Sequence, residues 1–247
     1  MKALVFAAGL GTRLRPLTNN MPKALVPVGG VPMLERVIRN LISYGFDEII
    51  VNVHHFADQI IDFLKEKDNF GVKIIVSDER DELLETGGGI LKARKYLEGD
   101  EPFLVHNADI LTDLDLSKLV EYHQANKADV TLLGAHRQTQ RYLLFDQSLI
   151  LKGWCNKASG EVKPQGFEYI PGKYEEFAFG GIHMISPTIF DTLQNYTTEH
   201  KFSIVPYYLS VCDQLKIQCY SATDYSWFDV GKMETLHMAE EWVEKNK

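Results

Sequence analysis

Residues 1–16 read MKALVFAAGLGTRLRP and combine a short apolar run with a glycine turn and two arginines. The apolar residues 3–7 predict a buried strand, because glycine soon ends the run. A secretory signal would need a longer apolar stretch and a small-residue cleavage site, whereas this one leads into Arg13, Arg15 and Pro16. The sequence thus predicts a first strand that ends in a glycine turn followed by positive charge.

Strand and helix patterns alternate along residues 1–135. Short apolar runs are separated by segments whose apolar residues recur at helical spacing. The predicted strands cover 3–7, 48–53, 73–77, 103–105 and 130–135, and the predicted helices cover 33–44, 58–65, 90–97 and 116–126. This alternation predicts an α/β fold with a mainly parallel sheet and helices on both faces. Ligands bind such sheets at the carboxyl ends of the strands.

The C-terminal part of the chain is less regular. Its patterns predict two short strands within 143–151, strands at 177–185 and 217–220, and a last helix that ends at Glu244. No linker rich in glycine, serine or proline separates this part from the first. We therefore expect a single domain over residues 1–247.

Charge is unevenly distributed along the 247 residues. The chain has 26 Lys and Arg against 34 Asp and Glu, a net charge of −8. Residues 1–34 nevertheless contain Lys2, Arg13, Arg15 and Lys23 and no acid. The acidic balance argues against a nucleic-acid partner, which needs a broad basic face. The cationic first segment instead predicts a local anion site.

Cysteine usage and hydropathy indicate the compartment. No apolar run approaches the roughly 20 residues of a membrane-spanning helix, so we expect no membrane association. Cys155, Cys212 and Cys219 have no metal-ligand spacing. Because free thiols are typical of a reducing compartment, we expect a cytoplasmic protein.

The first chemical motif contains Gly9, Gly11, Arg13 and the pair Pro22-Lys23. Glycines let backbone amides approach a phosphate closely, and an arginine can bind phosphate oxygens through two donors. The spacing matches neither GxxxxGKS/T nor GxGxxG. The segments AAGLGTRLRPLT and PKALVPVGGVPM resemble instead the signature of the sugar-1-phosphate nucleotidyltransferases.

This resemblance covers most of the chain and implies an activity, a fold and a cofactor. Members of the family join a nucleoside triphosphate to a sugar 1-phosphate, giving a nucleotide-activated sugar and pyrophosphate. The implied fold is a Rossmann-like three-layer α/β sandwich of the nucleotide-diphospho-sugar transferase type, with a mixed, mainly parallel sheet. By resemblance, about residues 1–135 bind the nucleotide, about residues 136–247 bind the sugar, and Mg²⁺ is the cofactor.

Residues 83–90, LLETGGGI, form a second motif. Three glycines directly before the predicted helix at Ile90 leave exposed backbone groups that can contact a base edge or bind an anion. In the resembling family this region holds the nucleobase. The form LETGGGI is similar to that of the N-acetylmuramate-1-phosphate uridylyltransferases, which implies UTP as the nucleotide and a role in peptidoglycan recycling.

Two acidic motifs predict a cation site. Asp109 follows a predicted strand in HNAD, residues 106–109, where a carboxylate is well placed to hold a hard cation. Asp229 lies among apolar residues in WFDVG, residues 227–231. By resemblance, both aspartates are Mg²⁺ ligands.

The resemblance also implies roles for single residues. Arg13 and Lys23 are expected to be catalytic, Arg13 on the leaving phosphates and Lys23 on the α-phosphate. Two residues are expected to contact the phosphate of the incoming sugar 1-phosphate. These are Lys23 and Gly181, which lies in FAFGGIHMI. The expected nucleotide-binding residues are Ala8, Gly9, Gly11, Thr12, Arg13, Lys23, Glu85, Gly87, Gly88 and Asn107.

Several stretches receive no functional role. The mid-chain Glu-Lys-Pro segment of many relatives has only poor counterparts here, in residues 153–157 and in Lys163-Pro164, so no sugar-binding lysine is assigned. His54 and His55 are expected to be loop or packing residues. The charged run 79–82 is expected to be a solvated loop.

Two alternative functions stay open. The same chemistry could use GTP with mannose 1-phosphate or heptose 1-phosphate. A non-catalytic nucleotide-sugar-binding regulatory subunit belongs to a different class, and such subunits typically lose the lysine or a metal-binding acid. Arg13, Lys23, Asp109 and Asp229 are all present, which favours an enzyme.

Overall fold

The computed structural model of the chain describes residues 1–246, and a mixed sheet of ten strands forms its centre. The strands are β1 Lys2–Phe6, β2 Pro27–Val28, β3 Val31–Pro32, β4 Glu48–Val53, β5 Lys73–Asp78, β6 Phe103–Asn107, β7 Ile110–Thr112, β8 Val130–Ala135, β9 Arg141–Phe145, β10 Leu151–Asn156, β11 Val162–Lys163, β12 Glu175–Ile185, β13 Ile217–Tyr220 and β14 Trp227–Asp229. The helices are α1 Met33–Ser43, α2 Ala57–Glu66, α3 Glu85–Leu97, α4 Leu116–Asn126, α5 Phe190–Leu193, α6 Ile204–Val211 and α7 Met233–Lys245. Lys247, the last residue of the expected domain, lies outside the described residues.

The central strands are arranged in the order β5-β4-β1-β6-β12, and the first four are mutually parallel. β12 is antiparallel to β6 and to β8, and β13 adds to β8 in parallel. The first residues of β12 pair with β9, which continues into the antiparallel strands β10 and β11. The expected Rossmann-like, mainly parallel mixed sheet is therefore confirmed.

Side chains of the parallel strands alternate between two apolar layers. In β1, Ala3 and Val5 pack on the face covered by α1, α2 and α4, whereas Leu4 packs on the face covered by α3 and α6. Because both faces are covered, the strands are apolar along their whole length. A third, smaller cluster packs α7 against Leu14, Val26 and Val230.

The order of the strands creates a crevice beside β1. The chain passes from β1 to β4 and β5 on one side and then returns to β6 on the other side. In parallel α/β sheets, ligands bind outside the carboxyl ends of the strands at such a reversal of strand order. The fold therefore directs attention to the residues that follow β1 and β6.

Two expectations about local structure were wrong. The helix expected to begin at Ile90 begins at Glu85, so all three glycines lie inside α3. Residues 200–203 pack so closely on this helix that a Cβ atom at Gly88 would lie 2.1 Å from the carbonyl oxygen of His200. Glu79, expected in a solvated loop, is 1% exposed. The short ribbons β2–β3 and β7–β14 had no periodic pattern by which to predict them.

The helices within residues 1–246 include no candidate for a membrane span. None of these helices combines the length and the apolar character that a bilayer span requires.

Buried histidines, among them His123 and His183, predict how the free energy of unfolding depends on pH. Burial lowers the pKa of His123 to about 4 and that of His183 to about 3, from 6.5. Below pH 6.5 the unfolded chain binds protons that the folded chain does not bind, so the free energy of unfolding should fall between about pH 7 and about pH 5. Denaturant unfolding measures this fall, and His123→Gln should make it shallower. The exposed His237→Gln is the control, and an identical pH dependence in all three proteins would contradict the assignment.

Candidate active site

A cavity of about 510 Å³ lies at the carboxyl ends of β1 and β6. Its walls are residues 7–13 after β1, residues 107–109 after β6, the start of α3, Lys23 and Gly231. This volume is typical of a small-molecule site. The glycine turn that precedes Arg13 and the segment that carries Asp109 thus line the same cavity.

The turn after β1 requires glycine at position 11. Gly11 has a φ of +64°, and a Cβ atom there would lie 2.9 Å from Thr18 Cγ2 and 3.0 Å from Lys23 Cβ. The Thr18 hydroxyl donates a hydrogen bond of 2.7 Å to the Gly11 carbonyl. The turn therefore packs directly against the backbone segment that carries Lys23. At Gly9 the space around the missing Cβ is open, which leaves the backbone accessible from the cavity.

Four charged side chains converge beside Gly231. Lys23 Nζ forms an ion pair with Asp109 Oδ2, and the two side chains are 11% and 25% exposed. A Cβ atom at Gly231 would lie 2.6 Å from Asp229 Oδ1, 2.8 Å from Arg13 Nη2 and 3.0 Å from Lys23 Nζ. The structure thus brings together Arg13, Lys23, Asp109 and Asp229, which are far apart in the sequence.

The two aspartates are held by one short ribbon. Asp229 pairs with Ile110 across β14 and β7, and the amide of Val230 donates 2.8 Å to the Asp109 carbonyl. Asp229 Oδ1 is buried and has no hydrogen-bond partner among the described residues. An unsatisfied buried acceptor costs about 1–3 kcal/mol, so this oxygen is a candidate ligand for a cation.

The donor set fits a hard divalent cation completed by a substrate. Within residues 1–246, no group of three or more His, Cys, Asp or Glu side chains could hold a metal by itself. Mg²⁺ is usually bound by one or two carboxylates together with water and substrate phosphates. Asp109 and Asp229 are the two carboxylates that would hold such an ion, and Asp229 Oδ1 has no hydrogen-bond partner among residues 1–246.

The second motif lies at another wall of the cavity. Leu83, Glu85 and Thr86 line the cavity, but Gly87 and Gly88 do not. Both glycines are buried, and their amides donate to the carbonyl of Phe202 at 2.8 and 3.2 Å. The expectation of exposed backbone groups at these glycines was therefore wrong, because residues 200–203 cover them. Sequence reasoning had no signal for this long-range contact.

Asn107 and Gly181 are in mutual contact. Asn107 lines the cavity, and a Cβ atom at Gly181 would lie 2.9 Å from Asn107 Nδ2. Gly181 itself has a φ of +73° and is buried. His106 does not line the cavity, and burial lowers its pKa to about 4, so it adds no positive charge at neutral pH.

A second cavity of about 650 Å³ adjoins the first and shares Arg13 and Ser203 with it. Arg137, Arg141 and Lys163 line this space. Arg137 lies 5.3 Å from the ring centroid of Trp227, and Lys163 lies 5.3 Å from that of Trp154. Sequence reasoning missed both arginines, although the basic run HRQTQR at 136–141 was a visible signal.

Comparison with known proteins finds matches along the described chain. The family model described as nucleotidyl transferase matches residues 2–246. The N-acetylmuramate alpha-1-phosphate uridylyltransferase of Caulobacter vibrioides is 31% identical over 96% of this chain and 95% of its own length. The mannose-1-phosphate guanylyltransferase catalytic subunit beta of Drosophila pseudoobscura pseudoobscura is 29% identical over 94% of this chain, which spans 59% of that relative. The crystal structure of HddC from Yersinia pseudotuberculosis complexed with GMP-PN has a TM-score of 0.75 and 25% identity, covering 98% of this chain and 99% of that one.

The packing of α3 against residues 200–203 gives a stability prediction. Gly88→Ala places a methyl group against the His200 carbonyl, so the helix or the segment must move. Overpacking of this kind costs about 1–3 kcal/mol, and we expect a clear fall in Tm in thermal unfolding. Gly9→Ala is the matched control, because its methyl group would enter open space. An unchanged Tm for Gly88→Ala would show that the segment moves away without cost.

Proposed function

We propose that this chain transfers the uridylyl group of UTP to N-acetylmuramate 1-phosphate. The premise is that the chain belongs to the nucleotidyl transferase family and is a sugar-1-phosphate nucleotidyltransferase. The observation that carries this proposal is the convergence of Arg13, Lys23, Asp109 and Asp229 beside Gly231, where the cavity beside β1 meets the second cavity. The reaction would belong to the cytoplasmic recycling of peptidoglycan.

The chemistry requires little beyond charge and position. A phosphate oxygen of the sugar 1-phosphate attacks the α-phosphorus, and the bond from that phosphorus to the oxygen of the leaving pyrophosphate breaks. The attacking oxygen is already anionic at neutral pH, so no general base is needed. The barrier comes from bringing two polyanions together, and catalysis rests on orientation and charge stabilisation.

The cations of the chain divide this task. Arg13 lies beside the exposed glycine turn, where its guanidinium can contact the leaving phosphates through two donors. Lys23 lies deeper, where its ammonium can contact the α-phosphate and the incoming phosphate. In the ligand-free chain Asp109 neutralises Lys23 and holds it in place. When Mg²⁺ is bound by Asp109 and Asp229, it would add positive charge beside the phosphates.

The choice of UTP rests on the wall formed by Leu83, Glu85 and Thr86. These residues belong to the LETGGGI segment, whose form is similar to that of the N-acetylmuramate-1-phosphate uridylyltransferases. The relative from Caulobacter vibrioides carries that activity in its name and is matched along nearly its whole length.

The choice of sugar rests on the second cavity. N-acetylmuramate carries a carboxylate on its lactyl ether, whereas glucose, mannose and N-acetylglucosamine carry none. Lys163 pairs with Glu161, but among residues 1–246 no carboxylate pairs with Arg137 or Arg141. Two such guanidinium groups beside a sugar phosphate site favour a substrate with a second negative group.

A guanylyltransferase is the second candidate. The similarity to HddC complexed with GMP-PN and to a mannose-1-phosphate guanylyltransferase subunit favours it. It would require GTP at the same base wall and a sugar phosphate without the carboxylate. A non-catalytic regulatory subunit is disfavoured, because Arg13, Lys23, Asp109 and Asp229 are all present around Gly231.

Removing one charge at the site should abolish most turnover without unfolding the protein. Lys23→Ala and Asp109→Asn should each lower kcat on the order of 10²–10³-fold. Lys23→Ala removes a positive charge beside the reacting phosphates, and Asp109→Asn removes the carboxylate that would hold Mg²⁺ and that positions Lys23. Pyrophosphate release measures the rate, and circular dichroism verifies the fold. Lys65→Ala removes an exposed lysine on α2 and is the control. Near wild-type kcat in either site variant would exclude the assigned roles.

Substrate choice follows from the base wall and the basic second cavity. Among the four nucleoside triphosphates and a panel of sugar 1-phosphates, UTP with N-acetylmuramate 1-phosphate should react fastest. Arg141→Gln should lower kcat/KM for this sugar about tenfold or more, since a hydrogen bond to a charged group contributes about 1.5–3 kcal/mol.

N-acetylglucosamine 1-phosphate provides the matched control for this variant. It lacks the lactyl carboxylate, so its own slower rate should be nearly the same in wild type and Arg141→Gln. If UTP is inert with every sugar phosphate, the uridylyl proposal fails. If GTP reacts fastest with the 1-phosphate of a sugar that has no carboxylate, the guanylyltransferase alternative is correct.

A further inference from the structure

Two buried polar side chains at the cavity, of which Asn52 lines it, have no role in the reaction described so far. Asn52 lies near the end of β4 and Glu79 follows β5 directly, and each is 1% exposed. Burying a carboxylate and a carboxamide costs free energy unless their hydrogen bonds are made. The partners of these two side chains therefore indicate what they do.

Asn52 binds the start of the glycine turn. Its Oδ1 accepts hydrogen bonds from the amides of Ala7 and Ala8 at 2.7 and 3.2 Å. These amides begin residues 7–13, the segment that ends in Arg13 and lines the cavity. The orientation of the Asn52 carboxamide thus fixes where this segment leaves β1.

Glu79 joins Asn52 to the opposite wall. Its Oε1 accepts from Asn52 Nδ2 at 3.0 Å, and its Oε2 accepts from the amide of Leu84 at 3.1 Å. Leu84 directly precedes α3 and lies between Leu83 and Glu85, which line the cavity. A continuous chain of hydrogen bonds therefore joins the two walls.

The acceptor oxygens of Glu79 give this chain of hydrogen bonds a fixed polarity. The neighbouring Arg80 pairs with Asp58 and Asp78 instead of with Glu79. Both carboxyl oxygens of Glu79 act as acceptors, Oε1 toward Asn52 and Oε2 toward the amide of Leu84, so the NH₂ group of Asn52 must face Oε1. The carboxamide oxygen of Asn52 then faces the amides of Ala7 and Ala8. Glu79 thus excludes the flipped orientation of the Asn52 carboxamide. In that orientation the NH₂ group would face the amides of Ala7 and Ala8, which are donors themselves.

We propose that Asn52 and Glu79 are positioning residues that couple the nucleobase wall, residues 83–86, to the phosphate turn, residues 7–13. A base that fits the wall fixes the position of the Leu84 amide. The hydrogen bonds of Glu79 and Asn52 transmit this position to the turn. Base recognition then affects the placement of the reacting phosphorus, so the wrong base lowers kcat as well as raising KM. The inference rests on the proposed function in that a nucleoside triphosphate occupies the cavity with its base against residues 83–86.

Exchanging the two functional groups tests the proposal. Asn52→Asp removes the donor to position 79 and places two carboxylates together, and Glu79→Gln presents a donor where an acceptor is required. In the double variant Asn52→Asp/Glu79→Gln, the new carboxamide at position 79 can donate to the new carboxylate at position 52 and still accept from the amide of Leu84. That carboxylate can also accept from the amides of Ala7 and Ala8. The double variant keeps the wild-type net charge and restores every hydrogen bond, with the donor and acceptor exchanged between positions 52 and 79.

The readout is the ratio of kcat/KM between the preferred nucleoside triphosphate and the next best one, with kcat and KM reported separately. We expect each single variant to lower this ratio about tenfold and to lower kcat with the preferred nucleotide. The double variant should return both values to within about threefold of wild type. Restoration of Tm without restoration of the ratio would overturn the proposal, as would a wild-type ratio in the single variants.

A matched control separates coupling from stability. Thr131→Val removes a buried hydrogen bond of 2.9 Å to His123, in a part of the core that lines neither cavity. It should lower Tm and leave the ratio unchanged, and a changed ratio would mean that the readout reports stability alone. If the single variants do not fold, the double variant decides, since it must fold and keep the base preference.

The outcome is distinct from that of the proposed function. If UTP is not the preferred nucleotide, the ratio is taken between whichever two nucleotides react best. If no nucleotide reacts, calorimetry gives the ratio of their dissociation constants in each variant. The coupling proposal fails only if the exchange of groups does not restore the ratio or if the single variants leave it at the wild-type value.

Discussion

The parallel pairing of β1 with β6 is the constraint on which the site depends. Its register sets Phe6 opposite Asn107, and the amide of Ala108 then donates 3.0 Å to the Phe6 carbonyl. The two strands therefore end at the same level, and the segments that follow must line a common crevice. A shift of one residue would exchange the two buried faces of β1 and place Leu4 where Ala3 and Val5 now pack. The apolar core thus fixes where the polar residues emerge.

Electrostatics explains how an acidic protein can offer an anion site. Arg13, Lys23 and Asp109 line the first cavity and Asp229 lines the second, and all four meet beside Gly231, so the site carries charges of both signs. Lys23 and Asp109 are both largely buried, and a buried charge is tolerable only when its partner is close. An anionic substrate can then use the cations, while the acids remain available to a metal ion. The net charge of −8 gives no indication of such a local balance.

Local sequence predicted those parts of the molecule whose causes are themselves local. The strands β4 and β8 and the helix α4 follow from apolar spacing, and the glycine turn follows from residues 9–13, because backbone preference and burial act over a few positions. Glu79 was misinterpreted because its neighbours Arg80 and Asp81 are exposed, and only the packing of its carboxyl group against Gly89 of α3 shows that Glu79 points inward. The start of α3 depends on Phe202, more than one hundred residues away. Arg137 and Arg141 were visible as a basic run, but only the fold shows that they line a cavity. Each of these misses concerns a contact between segments that are distant in the sequence.

The ribbon β7–β14 shows why such distant contacts determine the chemistry. It has three residues in each strand and no core of its own, yet its register places Asp229 next to the segment that carries Asp109. Two carboxylates brought together repel each other, and Lys23 and Arg13 offset that repulsion only because all these groups can approach Gly231. A side chain at position 231 would occupy the space in which the opposite charges meet. The missing side chain of Gly231 therefore leaves the space in which charged groups from the last segment of the chain meet those from the first.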